Sequence, residues 1–318
     1  MDISTFLTSL AGTGLISVAL ARWLTERLVE HRLSRALKDH DADIQRRFTS
    51  YKAELDAKLR IEVEDLLGEK AAERQYRVEA KKRLYAAVGP LRFQLLLAAN
   101  EFSNRVARLG DTRYVFDTSL DGYFGRSTSY RLLRMFAVLE LIERQIAYAD
   151  FAVDPFFPTL LRFKKLAFSC LSSDRVSLDH PANDWNNQNQ HIFYDTLSAI
   201  ASRLVVADSQ TGERVMRFDE YNQYVSNESN QKLLAPLPRL FTGFSPQQKP
   251  VLWLRLLTLA TLCQAFSKWQ GKGVGLENLP LEWRQLLINS GDTFIQANIG
   301  RYEAVITEHD KAFPESEH

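Results

Sequence analysis

LTERLVEHRLSRALKDHDADIQRRFTSYKAELDAKLRIEVEDLL, residues 24–67, runs for 44 residues without Gly or Pro. Leu, Ala, Glu, Lys and Arg dominate it. These are strong helix formers, because a straight side chain loses little freedom on a helix surface. Apolar residues return at Leu24, Leu28, Leu37, Ile44, Phe48, Tyr51, Leu55, Leu59, Val63 and Leu66, mostly in steps of three, four or seven. Such spacing lines them along one stripe, as a coiled coil or a bundle-facing helix requires. Glu54 and Lys58 add a supportive i,i+4 pair. A helix of this length reaches roughly 65 Å. Acids and bases nearly balance from Lys38 to Arg83, so the outer face reads as solvated surface. Asp39, His40, Asp41 and Asp43 interrupt the stripe and mark a candidate bend; their side chains point around a helix, so no metal site is expected there.

N-terminal to this run, residues 3–21 (ISTFLTSLAGTGLISVALA) carry no charge. A helix crossing the hydrocarbon layer needs about 20 such residues. Arg22 and Trp23 follow directly, and Arg27, Arg32, Arg35 and Lys38 outnumber Glu26 and Glu30. Trp suits the headgroup zone, and the basic flank favours the cytoplasmic side, leaving a short N-terminus outside. Two other readings are weaker. A cleaved signal peptide has an A-x-A mimic at Ala19-Leu20-Ala21 but no basic n-region. A buried core helix would account for the several Ser and Thr. The expectation is a retained single-pass anchor in a bacterial inner membrane, with the lipid bilayer as its first partner. Small residues, among them Gly12, Gly14, Ser17 and Ala21, let helix backbones approach closely in lipid, so self-association into a homo-oligomer is expected through this segment with Arg22 and Trp23 at its edge.

The whole chain has 318 residues, 45% of them apolar and 25% charged, which is ordinary globular composition. Forty Lys and Arg against 39 Asp and Glu leave +1, so no nucleic-acid partner is expected. Two cysteines, Cys170 and Cys263, lie far apart in apolar surroundings, which excludes a disulfide-built scaffold. Beyond Gly68 the sequence reads as a helical body. Helical periodicity over 70–108 meets a candidate kink at Gly89-Pro90 and a core-like stretch from Leu91 to Leu97. Gly110 to Arg126 reads as a polar, aromatic-bearing loop. Ser127-Thr128-Ser129 is expected to cap an amphipathic helix burying Leu132, Met135, Phe136, Leu139, Ile142 and Ile146, with Glu140 and Arg144 paired on another face. Further helices are expected over 159–171, 191–205, 251–269 and 281–311, the last broken at Gly291, while 207–250 is undecided. Val251 to Phe266 is apolar apart from Arg255 and Gln264; it is short for a membrane span, and a mid-membrane Arg is costly, so it reads as a central buried helix. The fold class is all-α: an anchor over 1–24, a charged coiled-coil-like helix over 25–68, and a cytoplasmic helical domain over 69–318.

Chemistry-bearing motifs are absent. No P-loop, nucleophile elbow, H-E-x-x-H or C-x-x-C occurs, and Gly271-Lys272-Gly273-Val274-Gly275 lacks phosphate-loop spacing. No cofactor, metal or catalytic residue is expected. His180 and His191 edge one polar loop near Asp179, Asp184 and Asp195; a carboxylate beside a histidine orients an imidazole as a base, which makes His180, His191 and Asp195 the best polar-site candidates. Arg113, Tyr114, Tyr123 and Arg126 form a candidate partner-binding loop.

Tyr51-Lys52-Ala53-Glu54-Leu55, Ser127-Thr128-Ser129-Tyr130-Arg131-Leu132-Leu133 and Leu139-Glu140-Leu141-Ile142-Glu143-Arg144, following an apolar N-terminus, form a recurring layout. It resembles a group of uncharacterised single-pass bacterial inner-membrane proteins over roughly the first half of the chain. The resemblance implies membrane anchoring and transfers no activity. The leading expectation is a membrane-anchored helical interaction protein, a scaffold or sensor whose protein partner is unknown. A membrane-acting effector of a defence or toxin-like system, and an enzyme with an all-α active site, are the alternatives.

Overall fold

The computed structural model describes residues 3–111, 116–146, 154, 156–209, 212–271 and 274–313; side chains up to residue 21, and at 26, 29–31, 33–37, 39–41, 44 and 156, lie outside the description. The fold is mostly helical, as expected. The chain divides into two compact units, residues 1–76 and 77–318. The expected anchor, with Gly12, Gly14, Ser17 and Ala21, falls outside the described side chains.

Helix α1 spans Ile3–Leu109. Within the first unit its described side chains are all exposed. Asp43 pairs with Arg47 and Glu54 with Lys58, both at 2.9 Å, and Thr49 Oγ1 donates to the Gln45 carbonyl at 2.7 Å. Contacts of this kind support a helix weakly and bury nothing. The division falls past Gly68, which lies within the helix.

The second unit begins with the rest of α1, which runs on through Pro90. Burial starts at Leu84 and continues at Val88, Leu95, Ala98, Ala99, Phe102 and Val106. The stretch Leu91–Leu97 is only partly core, with Phe93 half exposed, because a helix against one neighbour buries one stripe. After it come α2 (Tyr123–Ile146), α3 (Phe156–Ser172), α4 (Asp174–Ser177), α5 (Tyr194–Ser202), strands β1 (Val205–Asp208) and β2 (Gly212–Val215), α6 (Phe218–Ser226), α7 (Glu228–Leu233), α8 (Leu237–Phe241), α9 (Pro250–Gln270), α10 (Trp283–Ile288), α11 (Thr293–Ala297) and α12 (Ile299–Asp310). Helix α9 is the axis, buried from Pro250 to Ser267 and packed by α3, α4, α10 and α12. An all-round apolar helix has no solvent face to offer, so it sits centrally. Phe163 stacks on Phe266 at 4.3 Å, and Phe136 meets Phe168 edge-on at 4.8 Å. Cys170 and Cys263 are free and fully buried, their thiols pushed up by burial.

Four expectations are corrected. Helix α2 starts at Tyr123, inside the expected loop. Asp117 Oδ1 accepts from Ser119 N–H at 2.9 Å, and the Ser119 carbonyl accepts from Gly122 N–H at 3.2 Å, so the turn that launches the helix comes earlier. Ser127, Thr128 and Ser129 are therefore buried inside α2, where Ser129 Oγ meets Tyr221 Oη at 2.8 Å. Glu140 and Arg144 do not pair with each other: Glu140 faces buried Lys164 at 3.0 Å and Arg144 reaches Glu213 at 2.8 Å, since tertiary partners displace an i,i+4 pair. The helix expected over 191–205 shortens to α5, because Val205 and Val206 join an antiparallel pair with Val215 and Arg214. The final helix splits into three, with a positive φ of 71° at Gly291 ending α10's segment. The expected burial of Leu132, Met135, Phe136, Leu139, Ile142 and Ile146 stands, and Leu133, Ala137, Val138 and Leu141 are buried as well, so α2 has little solvent face.

Candidate functional site

Three features present chemistry or surface beyond packing. The first is α1 in the first unit. Phe48 is 67% exposed, Leu55 44% and Leu59 49%, and Leu24, Leu28, Tyr51, Val63 and Leu66 are similarly uncovered. A stripe of large apolar side chains open to water is a surface that gains free energy by being covered. At its start Arg22 and Trp23 are both exposed, and the Arg27 guanidinium lies 5.3 Å from the Trp23 ring centre.

The second feature is the polar loop between α4 and α5. His180 and His191 are both buried, but the loop does not bring them to Asp195, which is exposed on α5. His180 Nδ1 accepts from Ala182 N–H at 3.1 Å, so its Nε2–H donates to Asp292 Oδ1 at 3.0 Å. Asp292 also accepts from Ile295 N–H at 2.8 Å, capping α11. Both ring nitrogens of His180 are thus committed to structure, and its carboxylate partner comes from a part of the chain more than a hundred residues away. His191 Nδ1 lies 3.2 Å from Asn183 Oδ1, an acceptor, which leaves Nε2 as a lone pair with no hydrogen-bond partner. Burial and the nearby Arg255 bring His191 down to about 4, so its ring is neutral at pH 7. Trp185 packs on His191 at 4.4 Å and on the Arg255 guanidinium at 5.7 Å.

Arg255, which the sequence marks only as a cost for a membrane span, is a fully buried cation of the body. Its Nη1 donates to the carbonyls of Cys170 at 3.0 Å and Ser173 at 2.8 Å, holding the C-terminal end of α3; Nε and Nη2 have no partner. Burial lowers it to about 10, which leaves it charged. Gln190 fastens the same loop, its Oε1 accepting from Val251 N–H at 3.0 Å at the start of α9. A cleft of about 500 Å³ borders the loop at Gln188, but its polar groups are spoken for: Lys232 pairs with Glu228 at 3.1 Å, and Arg239 donates to the Asn187 carbonyl.

The third feature lies between α1 of the second unit and α2. The expected partner loop contributes here only in part. Arg113 and Tyr114 fall outside the described residues. Tyr123 and Arg126 belong to the first turn of α2, where Tyr123 is exposed against Phe218 at 6.0 Å and Arg126 Nε donates to the Leu120 carbonyl at 2.6 Å. Behind them a pocket of about 170 Å³ is lined by Glu101, Asn104, Arg105, Arg108 and Arg131. Sequence reasoning missed it, because its arginines come from two helices that meet only in the fold. Among the described residues, no three His, Cys, Asp or Glu side chains are grouped as metal ligands. Compared with protein-family models, curated proteins and solved structures, the chain matches none.

Proposed function

We propose that this protein is an interaction protein that self-associates through the charged part of α1. In this reading residues 3–21 tether it to a bacterial inner membrane, with the helical body on the cytosolic side. One observation carries the reading: the apolar stripe from Phe48 to Leu66 recurs at helical spacing and is uncovered. A second copy of the same helix supplies a matching stripe, and charged flanks with intrahelical pairs such as Glu54–Lys58 remain in water. The uncharged run over 3–21 and its basic flank support the tether. The membrane-acting alternative gains no support from the apolar helix α9, which is enclosed by the body.

The test is the mass of the full-length protein in detergent, by light scattering corrected for bound detergent, beside the double substitution Leu55→Glu, Leu59→Glu. Both positions are about half exposed, so the body stays folded. The expected result is an oligomer for the unsubstituted chain and a monomer for the variant. A monomeric unsubstituted chain, or an oligomer indifferent to both substitutions, refutes self-association through this stripe. Recovery of the full-length chain in the soluble fraction without detergent refutes the tether.

A further inference from the structure

We infer that the recess between α1 and α2 is a phosphate-binding site, taking inorganic phosphate or the phosphate end of a small monoester. Arg105, Arg108 and Arg131 line it, and Arg134 stands beside them; Glu101 is the one carboxylate of the lining. Glu101 is already engaged, receiving Arg134 Nη1 at 3.1 and 3.2 Å and lying 4.0 Å from Arg131 Nε. The group therefore holds a surplus of positive charge inside a concave wall, where solvent screens poorly and an anion is attracted most.

The cations are also held in place. Arg105 is 8% exposed and its Nη2 donates to Ser127 Oγ at 2.9 Å, while Arg131 Nη1 donates to the same oxygen. One hydroxyl thus pins two guanidiniums side by side. The Phe124 ring supports Arg105 from 5.5 Å. Burial first, and then the neighbouring charges of Arg131 and Arg108, pull Arg105 down to about 10. Asn104 is a wall and not a ligand: its Nδ2 donates to the Glu277 carbonyl at 3.1 Å and its Oδ1 accepts from Leu279 N–H at 2.8 Å. Arg108 sits exposed at the mouth. Guanidiniums bind phosphate oxygens in pairs of parallel hydrogen bonds, and several converging arginines suit a doubly charged tetrahedral ion better than a carboxylate. A space of about 170 Å³ is small beside drug-sized pockets, so a phosphate group fits within it and any ester substituent extends outward.

The experiment is thermal unfolding and titration calorimetry of the full chain in detergent, with inorganic phosphate, acetate, and sodium chloride at matched ionic strength. Phosphate at 10 mM is expected to raise Tm by about 2–4 °C. Acetate and chloride are expected to leave it within a degree. Arg108→Glu, at an exposed position, and Arg131→Gln are each expected to weaken phosphate binding at least tenfold. A glycerol 3-phosphate arm identifies the source: tighter binding than phosphate assigns the site to monoesters, weaker binding to the free ion, and either supports it. Equal shifts from chloride or acetate, or an undiminished phosphate effect in Arg108→Glu, overturn it.

Discussion

His191 shows how one buried side chain writes a pH dependence into the whole fold. Its ring is enclosed by Trp185 and Phe193, faces the charge of Arg255, and is held down to about 4. In the unfolded chain the same imidazole titrates near 6.5. Between those values the unfolded state binds the proton and the folded state does not, so stability falls as pH drops from about 6.5 to 4. Below 4 this residue adds no further slope. Over that whole interval the loss amounts to about 3 kcal/mol. Buried His309 is shifted in the same direction and adds to it. Glu220, held at about 2 by its hydrogen bonds from Arg214, acts at lower pH: its stabilising contribution is present above the usual carboxylate range and is lost as pH falls toward 2. Urea unfolding of the full chain at pH 7 and pH 5 is expected to show the loss, and His191→Gln is expected to flatten most of it. An unchanged slope in that variant assigns the acid sensitivity elsewhere.

At the scale of elements, the start of α2 rests on a glycine. A Cβ at Gly125 would lie 1.8 Å from the Ser119 carbonyl oxygen, a backbone atom that cannot rotate away. Gly125→Ala is therefore expected to displace the 117–122 turn and destabilise the protein by about 2 kcal/mol or more. Gly300, in the first turn of α12, has nothing within 4 Å of such a Cβ, and Gly300→Ala is expected to stabilise by about 0.5–1 kcal/mol. Denaturation midpoints of the two variants check both signs. The same helix shows what a sequence discloses. Whereas the burial of Leu133, Ala137, Val138 and Leu141 on the other faces comes from neighbours that only the fold supplies, that of Leu132, Met135, Phe136, Leu139, Ile142 and Ile146 follows from periodicity. The helix start does not, because Ser127-Thr128-Ser129 matches a cap while the turn that begins the helix depends on how the preceding loop folds over Gly125. The polar sites were least legible. His180 appeared near Asp179 and Asp184 in sequence but bonds Asp292, and Arg105 meets Arg131 only through tertiary packing. Contacts of long sequence separation leave no periodic trace in a single chain.

At the scale of the whole molecule, the two units differ in what protects their backbone. The body is held by a continuous core from Leu84 to Phe313, so opening any part of it exposes apolar surface. Among the described residues the first unit has no such core, and over 45–76 its helix is protected by its own hydrogen bonds unless another helix covers the stripe. Trypsin reads that difference, because cleavage needs local unfolding around the scissile bond. Arg46, Arg47, Lys52, Lys58, Arg60, Lys70 and Arg74 are all exposed along the helix, whereas Arg105, Lys164 and Arg255 are buried in the body. Brief digestion of the full chain in detergent is expected to cut within 46–74 and leave the body as a persistent fragment beginning near Arg77. If a second copy covers the stripe, Leu55→Glu with Leu59→Glu speeds those cuts at least fivefold without shortening the life of the body fragment. Mass spectrometry of the fragments over time measures both. Equal cutting rates with and without the substitutions mean that the helix stands uncovered, and simultaneous loss of the body means that the division between the units at Tyr76 is not a division of stability.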